Sequence, residues 1–116
     1  MKGLSTSKAS TEDYLRELKL LAHHLEEKHQ TLLKGINNTL LLIVELPQGR
    51  AHFLIGPEGI RHVEVSPPVE DKIVIAYRDL IRLVEKPSKM VRYILEGRVR
   101  VHGNQKKLLS ILQELL

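Results

Sequence analysis

At 116 residues with a formal net charge of +4 and no cysteine, the chain has room for one hydrophobic core, and disulfide frameworks, thiolate metal sites and thiol catalysis are excluded. Charged residues make up 28% of it with both signs interspersed, an ordinary soluble surface that permits only weak attraction to nucleic acid or an anionic membrane. Aromatic residues are 3%, namely Tyr14, Phe53, Tyr77 and Tyr93, too few and too scattered for base-stacking platforms.

Residues 1–9 read as a disordered lead-in without the apolar stretch of a secretory signal. The longest apolar run, Leu40 to Val44, is far short of the roughly 20 residues that cross a bilayer, so a cytoplasmic protein is expected. Residues 10–116 form a single domain. Ser10 followed by Asp13 predicts a helix N-cap with a reciprocal carboxylate. From there a helical period runs to about Leu33: Leu15, Leu18, Leu21, Ala22, Leu25, Leu32 and Leu33 share an arc of roughly 120° with Tyr14. Gly35 ends that helix.

Thr39 to Leu46 is too apolar for an edge and too short for another helix, which predicts a central strand. Pro47-Gln48-Gly49 turns the chain into a returning strand, Arg50 to Ile55, and Gly56-Pro57-Glu58-Gly59 turns it again into Ile60 to Val65. Ser66-Pro67-Pro68 prevents simple continuation and predicts a crossover. Lys72 to Tyr77 is a fourth strand covered on both faces, Asp79 caps a helix to Glu85, and Met90 to Leu95 is a further helical stretch closed by Gly97. In Arg98-Val99-Arg100-Val101-His102 the valines alternate with polar residues, the period of a half-buried strand. Asn104 caps a terminal helix whose apolar stripe, Leu108, Leu109, Ile111, Leu112, Leu115 and Leu116, is roughly 160° wide.

The order is helix, three strands, crossover, strand, helix, strand, helix: an α+β domain with a five-stranded sheet covered by helices. With the run Asp71 to Ala76, the Asp79-led helix, Pro87 and the strand Gly97 to Gly103, it resembles the sterol-carrier-protein domain family. The convincing part covers Asp71 to Leu116; upstream the match is in element order. Pro87 to Gly97 is longer than the family's usual segment. The terminal Glu114-Leu115-Leu116 is not a peroxisomal signal, which points to a stand-alone prokaryotic member.

The resemblance implies non-enzymatic binding or transfer of a lipid-like ligand (fatty acid, acyl-coenzyme A, sterol or isoprenoid) in an internal hydrophobic tunnel, where each buried methylene contributes about 0.8 kcal/mol. No cofactor is implied. Phe53, Ile81, Val84, Met90, Ile94, Leu108, Leu112 and Leu116 are the candidate lipid contacts. Arg92, Arg98 and Arg100, and secondarily Lys106 and Lys107, are the candidates for an anionic headgroup. The competing reading is an accessory or dimerisation module of the same fold with a filled tunnel, in which exposed Leu115 and Leu116 of the C-terminal helix pack on a second copy or a partner protein.

Two further classes are weaker. Gly56-Pro57-Glu58-Gly59 matches the two-glycine clamp of KH domains, but strand-like runs flank it and it holds no basic residue. No nucleophile elbow, phosphate-binding loop or paired carboxylate in an apolar setting occurs, so no catalysis is expected. Among His23, His24, Glu26 and Glu27 neighbouring helix positions face apart, and His29 is read as a boundary residue, so no metal is expected.

Overall fold

The structure is a computed structural model describing residues 10–116; the expected lead-in over residues 1–9 lies outside them. Helix α1, Thr11–Lys28, starts where the sequence placed it. The Ser10 side chain accepts from the Asp13 N–H at 3.2 Å while the Asp13 carboxylate accepts from the Ser10 N–H at 3.0 Å, a reciprocal cap. Those bonds to the Ser10 backbone and hydroxyl hold the Asp13 carboxyl below its usual range. The expected single helix to Leu33 is interrupted. His29, at φ −122° and ψ 38°, leaves the helical region, and a short helix α2, Gln30–Lys34, follows. The break re-phases the stripe, so that Leu33 is buried while Leu32 is only partly covered.

Strands β1 (Leu40–Leu46), β2 (Gly49–Gly56) and β3 (Gly59–Val63) form an antiparallel meander. The last strand stops two residues early, leaving Val65 79% exposed ahead of the proline pair. The chain then crosses so that β4 (Lys72–Ala76) lies parallel to β1, with Leu42 opposite Ile73 and Val44 opposite Ile75. Strand β5 (Val99–His102) adds antiparallel to β4, giving the order β3-β2-β1-β4-β5. The run Leu40 to Val44 is therefore central, as its unbroken apolarity predicts.

Helix α3 spans Tyr77–Glu85. It begins two residues before the expected cap: β4 runs straight into it, Ala76 is the extended N-cap residue without a side-chain bond, and Asp79 sits in the first turn. The N-cap position falls on an alanine, whose methyl group cannot accept from the first-turn N–H groups. A 3₁₀ turn, Pro87–Lys89, leads into α4, Met90–Leu95, and Gly97 follows at φ +76°. Helix α5, Gln105–Leu115, is capped by Asn104, whose Oδ1 accepts from the Lys107 N–H at 3.2 Å.

Strand alternation sorts the sheet into two faces. Leu40, Val44, Phe53, Ile55, Ile73, Ile75 and Val99 join the buried residues of the helices in one main core. Leu41, Ile43 and Val74 form a small second cluster with Leu54 and with Val69 from the crossover loop. The strand β4 is thus covered on both faces as expected, by helices on one side and by loop on the other. Each fully buried leucine or isoleucine in this arrangement contributes roughly 1.5–3 kcal/mol.

Candidate functional site

An apolar groove lies between the helix-bearing face of the sheet and the facing stripes of α1 and α5. Its lining comes from α1 (Leu18, Leu21, Ala22, Leu25), the strands (Leu42, Val44, Phe53, Ile55, Ile60), α3 (Leu80) and the end of α5 (Leu112, Leu115, Leu116). The stripe on α1 follows from leucine and alanine at helical spacing, and the strand contribution from inward-facing alternate residues. No titratable side chain lines the groove, so it offers nothing for acid–base or nucleophilic chemistry and everything for desolvating a hydrocarbon.

The void is about 40 Å³. A pocket that encloses a small-molecule ligand holds roughly 300–1,000 Å³, so the groove is nearly filled by its own side chains. Admission of a chain requires these leucines to change rotamer or α1 and α5 to separate. Of the candidate lipid contacts, Phe53, Leu112 and Leu116 line the groove. Met90 and Leu108 are buried in the main core and Val84 and Ile94 pack against it, while Ile81 is half-buried on α3. Leu18, Leu21, Ala22 and Leu25 of α1, read from the sequence only as core, also line it. The signal for them was the same 120° arc; periodicity reports a buried face without saying whether another side chain or a void lies opposite. Leu115, expected to be exposed, is 3% exposed, and Leu116 is partly buried; both turn into the groove, because the wide stripe of α5 wraps the core rather than projecting from it.

The candidate headgroup arginines do not converge. Arg92 donates to Glu96 at 2.9 Å on the outside of α4, and its hydrogen bond holds the Glu96 carboxyl below the usual range. Arg98 pairs with Glu96 at 3.0 Å and Asp79 at 3.5 Å and lies 4.9 Å from the Tyr93 ring centroid. Arg100 pairs with Glu45 at 2.9 Å on the opposite sheet face. Lys107 reaches Asp71 at 3.8 Å. Lys106 is exposed on α5.

Two contacts fix α1 over the sheet beside the groove. The Glu26 carboxylate accepts from the Ile60 N–H at 2.7 Å. It packs over Gly59, at φ +123°, where a Cβ would collide with its Oε1. The Gly56-Pro57-Glu58-Gly59 segment is therefore a tight turn between paired strands, not a clamp between helices. His62 stacks edge-on to Phe53, ring centroids 5.4 Å apart, and burial, then Lys19, push its imidazole below the ordinary value. At the other end of α1, Tyr14 meets Tyr77 edge-on at 4.8 Å, and burial, then Glu17 and Tyr14, push the Tyr77 phenol up. His23 and Glu27 pair with each other on α1, and no cluster of three metal-ligating side chains occurs among the described residues. No helix among them is long and apolar enough to cross a membrane.

No protein-family model matches the sequence, and no curated protein matches it. Solved structures do match in shape. Sterol carrier protein 2 from Yarrowia lipolytica, in its apo form, superposes with a TM-score of 0.67 at 13% identity over 96% of this chain and 94% of that one. Sterol carrier protein domain 2 of Helicoverpa armigera gives 0.65 at 18% identity over 93% and 92%. The palmitated sterol carrier protein 2-like 2 from Aedes aegypti gives 0.60 at 13% identity over 92% and 94%. The element order, the parallel β1–β4 pair and these superpositions together identify the chain as a domain of sterol-carrier-protein fold.

Proposed function

We propose that the protein binds or transfers a lipid-like ligand, with its hydrocarbon portion held between α1, α5 and the sheet, and performs no chemistry on it. The observation that carries this reading is the composition of the groove: every lining residue is apolar, and two of its walls are helix stripes that can separate without breaking sheet hydrogen bonds. That one neighbour of the same fold is a palmitated protein supports a fatty acyl chain as the first ligand to try. Each methylene moved from water into such a groove gains about 0.8 kcal/mol, so a chain of ten or so carbons repays a considerable rearrangement of leucines.

The narrow void favours a second reading, an accessory module of the same fold whose interior is filled. In that reading the groove's leucines are simply core and do not part for a ligand. Native mass spectrometry on protein purified without detergent, followed by lipid extraction, separates the two. A stoichiometric acyl or isoprenoid adduct lost on denaturation supports binding. A bare mass, together with failure to take up a fluorescent fatty acid, overturns it in favour of the filled module.

A further inference from the structure

A second cavity, about 500 Å³, falls within the roughly 300–1,000 Å³ of small-molecule sites. Its place follows from the topology. The parallel strands β1 and β4 lie side by side, and the chain leaves them in opposite directions: β1 turns through Pro47 into β2 on one side, while β4 runs through α3 and α4 to β5 on the other. Connections that diverge from the carboxyl ends of neighbouring parallel strands leave a crevice between them, the position of ligand sites in open parallel sheets. The cavity lies there, with Leu46 and Pro47 from the end of β1 and Ala76 and Tyr77 from the end of β4 in its walls.

This cleft is separate from the groove: no described residue lines both. On α3 the groove takes Leu80, whereas the cleft takes Arg78 and Arg82, two positions to either side and so roughly 160° around the helix from it. The two arginines are exposed and stand one turn apart on a single face. They pair with no carboxylate among the described residues, and residues 1–9 contain no Asp or Glu. The two carboxylates of the cleft are already engaged, Asp79 by Arg98 at 3.5 Å and Glu45 by Arg100 at 2.9 Å. Arg98 is itself held by Glu96 and lies against the Tyr93 ring, so the uncompensated charge at the cleft is that of Arg78 and Arg82. Beside it stands an apolar and aromatic wall, Leu46 and Pro47 with the rings of Tyr14 and Tyr77 edge-on at 4.8 Å.

We propose that this cleft is a second binding site, independent of the groove, for a small ring-bearing oxyanion, a phosphate monoester or a carboxylate. Arg78 and Arg82 bind the oxyanion, because each guanidinium presents a planar fork of N–H donors matched to phosphate or carboxylate. The ring of the ligand packs against the tyrosine pair, since aromatic rings meet favourably offset or edge-on. The ligand class is a water-soluble metabolite with no hydrocarbon tail, and the inference does not depend on the groove holding a lipid.

Calorimetric titration tests it with phenyl phosphate, benzoate, inorganic phosphate and benzyl alcohol, each against the wild type and the double variant R78Q/R82Q. Both arginines are exposed, so the variant retains the fold; an unchanged far-ultraviolet spectrum and melting temperature check this. Phenyl phosphate or benzoate is expected to bind the wild type, the tighter of the two naming the oxyanion, and to bind the variant at least about tenfold more weakly, the equivalent of one lost charge-assisted hydrogen bond. Inorganic phosphate and benzyl alcohol, each lacking one half of the ligand, are expected to bind more weakly than either. Equal affinity of the ring-bearing anions for both proteins, or no binding of them to the wild type, overturns the proposal and leaves the reading of the groove untouched. Inorganic phosphate binding as tightly as phenyl phosphate makes the cleft a site for a bare anion and overturns the ring. Dodecyl phosphate, below its micellar concentration, binding more tightly than phenyl phosphate and losing that advantage in the variant overturns the independence of the two sites.

Discussion

Replacement of Leu18 by alanine tests whether the groove is a place that can be enlarged. Leu18 is 3% exposed and faces the void from the middle of α1, opposite Phe53 and Val44 on the sheet and Leu112 on α5. Large-to-small substitutions at such sites cost about 2–5 kcal/mol, rising by about 24 cal/mol for each Å³ of cavity left behind. Here the vacated space joins a void of about 40 Å³ that already exists, and α1 is tethered at Glu26, so collapse is incomplete. A loss of about 3–4 kcal/mol in urea unfolding is expected, within the roughly 5–15 kcal/mol available to a domain of this size. A bound acyl chain fills the enlarged space. At a hundred times its Kd a ligand adds about 2.7 kcal/mol, so saturating dodecanoate restores most of the loss and stabilises the variant more than the wild type. A cost below about 1 kcal/mol would show that α1 is not packed there. Stabilisation of the wild type by dodecanoate but not of the variant refutes the route of the chain past Leu18.

Further outcomes follow from the contacts around the groove. Gly59→Ala forces a side chain onto a residue at φ +123° and displaces the Glu26 carboxylate. It costs about 3–5 kcal/mol in the wild type but about 1–3 kcal/mol less when Glu26 is already alanine, and a double-mutant cycle that comes out additive refutes that contact. His62 is held below its ordinary value of 6.5 chiefly by burial. The unfolded chain therefore takes up the proton first, and stability is kept above that value and falls as the pH drops from 6.5 through the lower folded value. His62→Gln flattens this part of the curve, and an unaltered slope argues against the burial. Asn104→Ala removes the cap of α5 and costs about 1 kcal/mol; hydrogen exchange then rises first in the turn around Lys107.

The sequence carried the sheet and both capped helices because their signals are local. Ser10 with Asp13, Asn104 before the terminal stripe, and the alternation of Val99 and Val101 depend only on near neighbours. What escaped it was set by distant parts of the chain. The break at His29 brings Leu33 under the sheet, which no residue of the helix itself signals. Asp79 looks like a cap in isolation, yet α3 grows directly from β4 and the carboxylate turns instead to Arg98, nineteen positions along the chain. In the same way Phe53, Leu112 and Leu116 meet at the groove whereas Met90 and Leu108, equally apolar, fill the core behind it.

The position of β1 has a kinetic consequence. Its pairing with β2 spans a tight turn, but its other edge waits for β4, which arrives only after the meander and the crossover have been made. Pairings distant along the chain pay more loop-closure entropy and form later. Until then Leu41 and Ile43, destined for the middle of the sheet, stand on an unpaired edge without the cover of Val74. That interval is when the chain is open to strand addition by another molecule. The crossover loop, by bringing Val69 and β4 together onto this edge, closes it in one step.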